Sequence, residues 1–257
     1  MTTLPSISSH PIYPAYCFRV SPTYNAWVKL TIADVHTLRA EHGYEGQNIY
    51  WHLNHPIRFV RLVGVIVAID DINAKYTILT LDDSSGATIE VKITRLPTNI
   101  STLVECPSNT TVSNVHVAIR RGVFEVEVDG QNLDIGTVIK AKCTIAEFRG
   151  NKQLELKRVS VVRSTDEEVR AWAETARFRK DVLEKSWVLS ERDQKQIKKE
   201  LKMQWKKEKE HQRLKAEHDA RRLERNRTRD EKTALSEQKA ERRRKKEEVI
   251  MNTGALI

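Results

Sequence analysis

The chain has 257 residues, with 44 Lys and Arg against 35 Asp and Glu, a formal net charge of +9 and 39% hydrophobic residues. That length admits one or two domains, and no run approaches the roughly 18 apolar residues of a membrane span. The opening "MTTLPSISSHPIYPAY" lacks the basic flank and apolar core of a secretory signal, so the chain reads as cytosolic or nuclear.

Charge is unevenly placed. Residues 166–257 hold 27 Lys and Arg against 20 Asp and Glu, a net +7, leaving +2 for the first 165 residues. A basic excess permits nucleic-acid contact without demonstrating it. Cys17, Cys106 and Cys143 are far apart and odd in number, which suggests neither a disulfide framework nor a zinc site. Cys143 alternates within an apolar strand pattern and reads as a small buried hydrophobe rather than a nucleophile.

Residues 1–25 are rich in Pro, Ser and Tyr and read as extended. "WVKLTIADVHTLR" (27–39) reads as a short strand followed by a turn of helix, capped by Thr31 or Asp34. "NIYWHLNHPIRFV" leads into a strand meander. The first long strand spans about 57–69, with Gly64 marking a bulge or sharp bend. Such a bent strand can serve both sides of a small closed sheet. The second, "YTILTL", alternates, with Thr77, Leu79 and Leu81 on one face. "DDSSG" (82–86) is a tight turn. The third, "ATIEVKI", puts Ile89, Val91 and Ile93 inward.

Residues 95–122 read as a loop with room for a short helix, and "VFEVEVDG" as a strand ending in a turn at Asp129-Gly130. After Gly136 a strand buries Ile139, Ala141, Cys143 and Ile145. "RGNK" (149–152) is a hairpin turn, and "QLELKRVSVV" is the last strand. There Leu154 and Leu156 keep one phase and Val159 and Val161 the other, which predicts a bulge near Lys157. Residues 164–187 predict a helix capped by Ser164 with Glu167, or Thr165 with Glu168. Val169, Trp172, Ala176, Leu183 and Trp187 form its apolar stripe. Beyond Ser190, dense opposite charges without sustained heptads predict a solvated single helix.

The predicted fold is mainly β with α: a five-stranded Greek-key barrel of the oligonucleotide/oligosaccharide-binding (OB) type, with a flanking helix and a long charged C-terminal helix. The organisation expected is an N-terminal extension packing on the barrel (1–50), the barrel (51–163), an interface helix (164–190), and a highly charged helical or disordered tail (191–257).

Three stretches carry a closer likeness. "NHPIRFVRLVGVIVAID", "YTILTLDDSSGATIEVKI" and "DIGTVIKAKCTIAEFRGNKQLELKRVSVV" resemble the barrel of the replication protein A middle subunit and its telomeric relatives. "YPAYCFRVSPTYNAWVKLTIADVHTLR" together with "NHPIRFV" is similar to the fungal Stn subunit of the CST telomere-capping complex. The resemblance, over roughly residues 13–190, implies a nuclear protein at telomeres. It implies a heterodimer with the small OB-fold Ten subunit, binding of single-stranded telomeric DNA by the pair, and assembly with the large CST subunit. Regulation of DNA polymerase α–primase by the full complex is also implied, and no cofactor is. The family often carries C-terminal winged-helix domains, but residues 191–257 are too polar for such a core, which puts functions tied to those domains in doubt.

Barrels of this type bind single strands with cations along the phosphates and aromatic faces under the bases. The candidate cations are Arg58, Arg61, Lys75, Lys92, Lys140, Lys142, Lys152, Lys157 and Arg158, and the candidate stacking platforms are Tyr76 and Phe148. Strand charges also serve simply to solvate a sheet, and both aromatics could seal the barrel ends. The stripe Val169, Trp172, Ala176, Leu183 and Trp187 either covers the chain's own barrel or pairs with the Ten subunit. The run Arg242, Arg243, Arg244, Lys245 and Lys246 reads as a nuclear localisation signal, a nucleic-acid patch or one face of a solvated helix.

No P-loop, GxGxxG or HExxH is present, so the expectation is a non-catalytic binding protein. His52 and His55 lack companion ligands, and Asp82-Asp83 is better explained as a turn than as a metal pair. The competing classes are an RNA-binding OB-fold protein with a basic helical tail and an accessory domain of an enzyme.

Overall fold

The computed structural model describes residues 11–73, 75–96, 109–120 and 123–254. These fall into two compact units, residues 1–191 and 192–257.

The first unit begins with a short 3-10 helix, Ala15–Val20, where an extended segment was expected. The turn drives Cys17 and Phe18 into the interior, and Phe18 packs with Tyr24, Tyr44 and Trp51 in an aromatic cluster. Strand β1 (Val28–Lys29) and helix α1 (Ile32–Thr37) follow as predicted. Thr31 and Asp34 cap α1 reciprocally. The Asp82–Gly86 turn adds two acceptors, because Ile32 N donates to Asp83 Oδ2 at 2.7 Å and Ala33 N to Ser85 Oγ at 3.0 Å. That turn therefore anchors α1, and among the described residues no His/Cys/Asp/Glu group is arranged to hold a metal.

A small hairpin, β2 (Tyr50–His52) and β3 (His55–Ile57), precedes the barrel. The barrel strands are β4 (Phe59–Asn73), β5 (Tyr76–Asp82), β6 (Thr88–Thr94), and, after an inserted sheet, β10 (Val138–Phe148) and β11 (Asn151–Val161). The inserted sheet holds β7 (Val115–Arg120), β8 (Val123–Val128) and β9 (Gln131–Leu133). Strand β7 corrects the loop expected over 95–122. Its Val115 and Val117 are buried and alternate, but a Ser/Thr/Asn-rich run before it hides that pattern. Residues 97–108, Cys106 included, lie outside the described residues.

Strands β10 (Val138–Phe148) and β11 (Asn151–Val161) complete the barrel. The sheet order β1-β4-β10-β11-β6-β5 closes through β4–β5 pairing, and β11 runs parallel to β6. Five long strands thus form the closed Greek-key barrel expected from the sequence. Two devices close it. Gly64 lies where β4 meets both β10 and β5, and a Cβ there would sit 2.6 Å from the Asp82 carbonyl oxygen. On β11 the register slips between Lys142 and Cys143 of β10, leaving Lys157 as the unpaired bulge residue. The bulge lets Leu154, Leu156 and Val159 all face the core.

The core is the inner face of these strands, with Leu79, Val91, Ile93, Ile139, Ala141, Cys143 and Leu154 fully enclosed. Burial pushes the Cys143 thiol far up from its ordinary range, so it is an inert packing group.

Helix α2 (Thr165–Phe178) starts at Ser164, whose hydroxyl accepts from Glu167 N at 3.3 Å. It ends in one π-helical turn, Arg179–Leu183. The second unit is described by α3 (Glu191–Gly254), 64 residues of highly charged helix carrying i,i+4 pairs such as Arg213–Glu217 and Lys245–Glu241. No helix among the described residues is long and apolar enough to cross a membrane.

Candidate nucleic-acid interface

Ligands of this fold lie across the face of its second and third strands, between the loop joining strands one and two and the loop joining strands four and five. Here those are β5 and β6, the turn at Lys75, and the Arg149-Gly150 turn. A groove of about 860 Å³ occupies that place. Both turns are built for exposure. Asn73 Oδ1 accepts from Lys75 N and Tyr76 N at 2.8 and 3.0 Å, tightening the first. Arg149 and Gly150 both take positive φ, 53° and 81°, the two-residue turn that suits hairpin twist. It leaves Phe148 56% exposed at the rim.

The groove gathers Tyr76, Lys92, Phe148 and Lys152 of the predicted set and adds Arg149, which sequence reasoning left inside a turn. Two cations already sit over aromatic rings of the groove itself. Lys92 Nζ lies 5.3 Å from the Tyr76 ring centroid, and the Arg149 guanidinium lies 5.1 Å from that of Phe148. Each pair offers a flat face and a positive charge side by side, the combination a stacked base and its phosphate require. Lys152 Nζ donates to His36 O at 2.8 Å. Partial burial pulls its pKa below the ordinary lysine value, against the opposing charge of Glu147. Lys75 is exposed on the turn beside Tyr76. Glu90 also lines the groove and accepts from Gln153 Nε2 at 2.7 Å.

Other predicted cations are engaged inside the unit. Arg61 is buried and donates to Glu174 Oε2 at 2.6 Å, Ala171 O at 3.1 Å and Thr175 Oγ1 at 3.2 Å. Lys140 is paired with Glu167 at 2.9 Å, and Lys157 with Glu155 at 3.0 Å. Arg61 and Lys140 thus fasten α2 to the barrel. Hydrogen bonds from Lys29 and then Arg61 hold the Glu174 carboxyl below its ordinary range, and the Lys140 hydrogen bond does the same for Glu167. Arg58, Lys142 and Arg158 lie on the outer face of the sheet around Trp27 and Phe59, away from the groove lining.

The structure separates the predicted helical stripe. Val169, Trp172 and Ala176 form an exposed face of α2, with Trp172 47% and Val169 50% accessible. Ala171, Thr175 and Phe178 face the barrel instead. Leu183 is buried in the barrel core. Seven residues separate it from Ala176, so an unbroken α-helix would put both on one face; the π turn, closed by Glu184 N donating to Arg179 O at 3.0 Å, rephases the chain. Trp187 lies beyond the helix. Its backbone exchanges hydrogen bonds with the Asn54 side chain at 2.7 and 2.9 Å, and its ring meets Tyr13 edge-on at 4.9 Å. Arg242, Arg243, Arg244, Lys245 and Lys246 are exposed on α3, where Glu241 pairs with Lys245.

A closed five-stranded Greek-key barrel with an aromatic and cationic groove between its clamp loops defines an OB-fold protein, and the comparisons with known proteins agree on the fold. A solved structure of yeast Stn1 and Ten1 superposes with a TM-score of 0.52 at 17% identity, covering 74% of this chain and 91% of that one.

The particular likeness is to Stn1. Residues 5–117, just under half of the chain, match the model of the family described as telomere regulation protein Stn1. "Protein stn1" of Schizosaccharomyces pombe is 26% identical over 161 residues, covering 63% of this chain and 41% of that protein. "CST complex subunit STN1" of Bos taurus is 27% identical over 142 residues, covering 55% of this chain and 37% of that protein. The chain thus spans about two fifths of the length of the curated relatives it matches, and the resemblance to the Stn subunit read from the sequence holds.

Proposed function

We propose that this chain is a non-catalytic, Stn-type telomere-capping subunit. It binds single-stranded telomeric DNA in the β5–β6 groove and pairs, through the exposed face of α2, with a small Ten-type OB partner. The observation that carries the reading is the groove itself, where Tyr76 with Lys92 and Phe148 with Arg149 stand on either side of one channel between the two clamp turns. The Trp172 face supports the second half. A large half-exposed indole on a helix already fixed by Arg61 and Lys140 is a preorganised anchor for a partner helix. Assembly with a large CST subunit, action on DNA polymerase α–primase, and nuclear import through Arg242–Lys246 follow from the same reading.

The test compares binding of G-rich single-stranded DNA and matched RNA by the chain with its Ten-type partner, at several salt concentrations. Phe148→Ala should weaken DNA binding about 5- to 150-fold, corresponding to ~1–3 kcal/mol per stacked base. Arg149→Gln should flatten the salt dependence. DNA binding indifferent to Tyr76→Ala and Phe148→Ala would remove the groove from the account. A strong preference for RNA would favour an RNA-handling role instead.

A further inference from the structure

A second cluster of cations and aromatic rings lies outside the groove. Trp27 and Phe59 pack with centroids 5.0 Å apart. The Arg58 guanidinium lies 5.1 Å from the ring centroids of both Phe59 and Tyr24, and Nη1 donates to the Tyr24 hydroxyl at 3.2 Å. Lys142 Nζ stands 5.7 Å from the Trp27 centroid, and Arg158 is Lys142's cross-strand neighbour on β11. The neighbouring cations of this face, Lys29, Arg61, Lys140 and Lys157, are each answered by a carboxylate of the same chain. Arg58, Lys142 and Arg158 have no ion pair among the described residues. Three uncompensated positive charges interleaved with partly exposed rings fit a polyanion that carries flat bases. Arginine and aromatic rings also occur at protein interfaces, but lysine is depleted there, and the placing of Lys142 beside Arg158 across the strands favours the polyanion.

The strand register connects this cluster to the groove. Ala141, Cys143 and Ile145 of β10 point into the core, so Lys142, Thr144, Ala146 and Phe148 point outward in one row. Six residues at ~3.3 Å each span about 20 Å, the length of about six nucleotides at the ~3.4 Å stacked rise. Between the two ends the row presents only Thr144 and Ala146, short side chains that leave the path open; Glu155, opposite Thr144, is paired with Lys157.

We infer that a single strand leaving the groove at Phe148–Arg149 continues along the outer face of β10 to a second contact formed by Trp27, Phe59, Arg58, Lys142 and Arg158. This extended footprint rests on the groove reading above. It makes affinity depend on strand length in a way the groove alone does not.

The experiment measures equilibrium binding of the full chain to mixed thymine–guanine single strands of about 6 and about 15 nucleotides, within the ~4–16 nucleotide range of such barrels. The variants are Phe148→Ala, Trp27→Ala and the double variant Lys142→Gln/Arg158→Gln, the last on exposed or half-exposed strand positions so that the fold is kept; equal melting midpoints check this. The double variant should bind the long strand about tenfold more weakly and the short strand unchanged. Its log–log salt slope on the long strand should fall by about 1.4, at ~0.7 per lost phosphate contact on a single strand.

Phe148→Ala should weaken both lengths. If Phe148→Ala weakens binding but the outer-face variants bind both strands like the wild type, the groove stands and the extension falls. The extension also falls if those variants lose only a protein partner, if they weaken both lengths equally, or if the wild type binds both lengths with the same affinity. Binding of neither strand by the wild type overturns both readings.

Discussion

Gly64→Ala is the sharpest test of how the barrel closes. Gly64 is a strand residue with no left-handed φ, so removing conformational freedom from the unfolded chain should by itself stabilise the protein by about 0.4–1 kcal/mol. The structure predicts the opposite sign. The new methyl would stand 2.6 Å from Asp82 O and 3.0 Å from Asp82 C, both backbone atoms that cannot swing aside. Strand β5 would have to retreat just where Val65 pairs with Asp82, and where Asp83, the next residue, caps α1. Overpacking of this kind costs ~1–3 kcal/mol; less the unfolded-state gain, the net loss is about 1–2 kcal/mol. For a unit of this size that lowers Tm by roughly 2–8 °C. Tryptophan fluorescence is the appropriate probe, because four of the five tryptophans lie in the first unit, whereas far-UV ellipticity is dominated by the 64-residue α3. A Tm equal to or above that of the wild type would refute the close-approach argument.

Trp172→Ala should leave Tm within about 1 °C, since the side chain is half exposed, while weakening association with a Ten-type partner at least tenfold in a titration; loss of ~2 kcal/mol or more is usual for such an anchor. Leu183→Ala should do the reverse, costing about 2–5 kcal/mol of stability because it empties a buried core position. Acid should loosen α2 before the barrel. The Glu174 and Glu167 carboxyls titrate below their unfolded value of about 4.3, so their contribution is complete above that pH and is lost as pH falls through the folded value. Hydrogen-exchange protection of α2, taken relative to the intrinsic rate at each pH, should therefore fall below about pH 4, and Glu174→Gln should show that lowered protection already at pH 7.

Much of the barrel was legible because its strands bury one face and expose the other. The alternation in β5, β6 and β10 marks the core residues directly, and the phase slip between Leu156 and Val159 marks the bulge at Lys157. The groove was half legible. Tyr76, Lys92, Phe148 and Lys152 could be named, but not distinguished from Arg61 and Lys140, since both groups are cations or aromatics on the outer side of strands. The distinction is made by α2, which brings Glu167 and Glu174 onto one part of the sheet from far along the chain. Arg149 was concealed by its role in a turn. Tyr24 and Trp27, aromatic partners of Arg58 and Lys142, come from the segment before β1, so of the outer-face cluster only the adjacent Arg58-Phe59 pair has a local sequence signature. A π turn likewise leaves the spacing of apolar residues looking like continuous helix.

That π turn constrains chain length as well as conformation. A π turn holds one residue more than an α turn, and each residue of a regular helix advances the side chain by about 100° around the axis. Adding a further residue within Arg179–Leu183 would therefore swing Leu183 out of its pocket and shift the frame of everything that follows, whereas removing one restores α geometry with Leu183 still facing the barrel. After such an insertion the Asn54 bonds that hold the backbone of Trp187 would have nothing in register to grip. A stretch that resembles a tolerant connector is therefore one-sided in what it tolerates: a single-residue insertion between the outward-facing indole and the inward-facing leucine should destabilise the fold more than the single deletion that turns the π turn into α-helix.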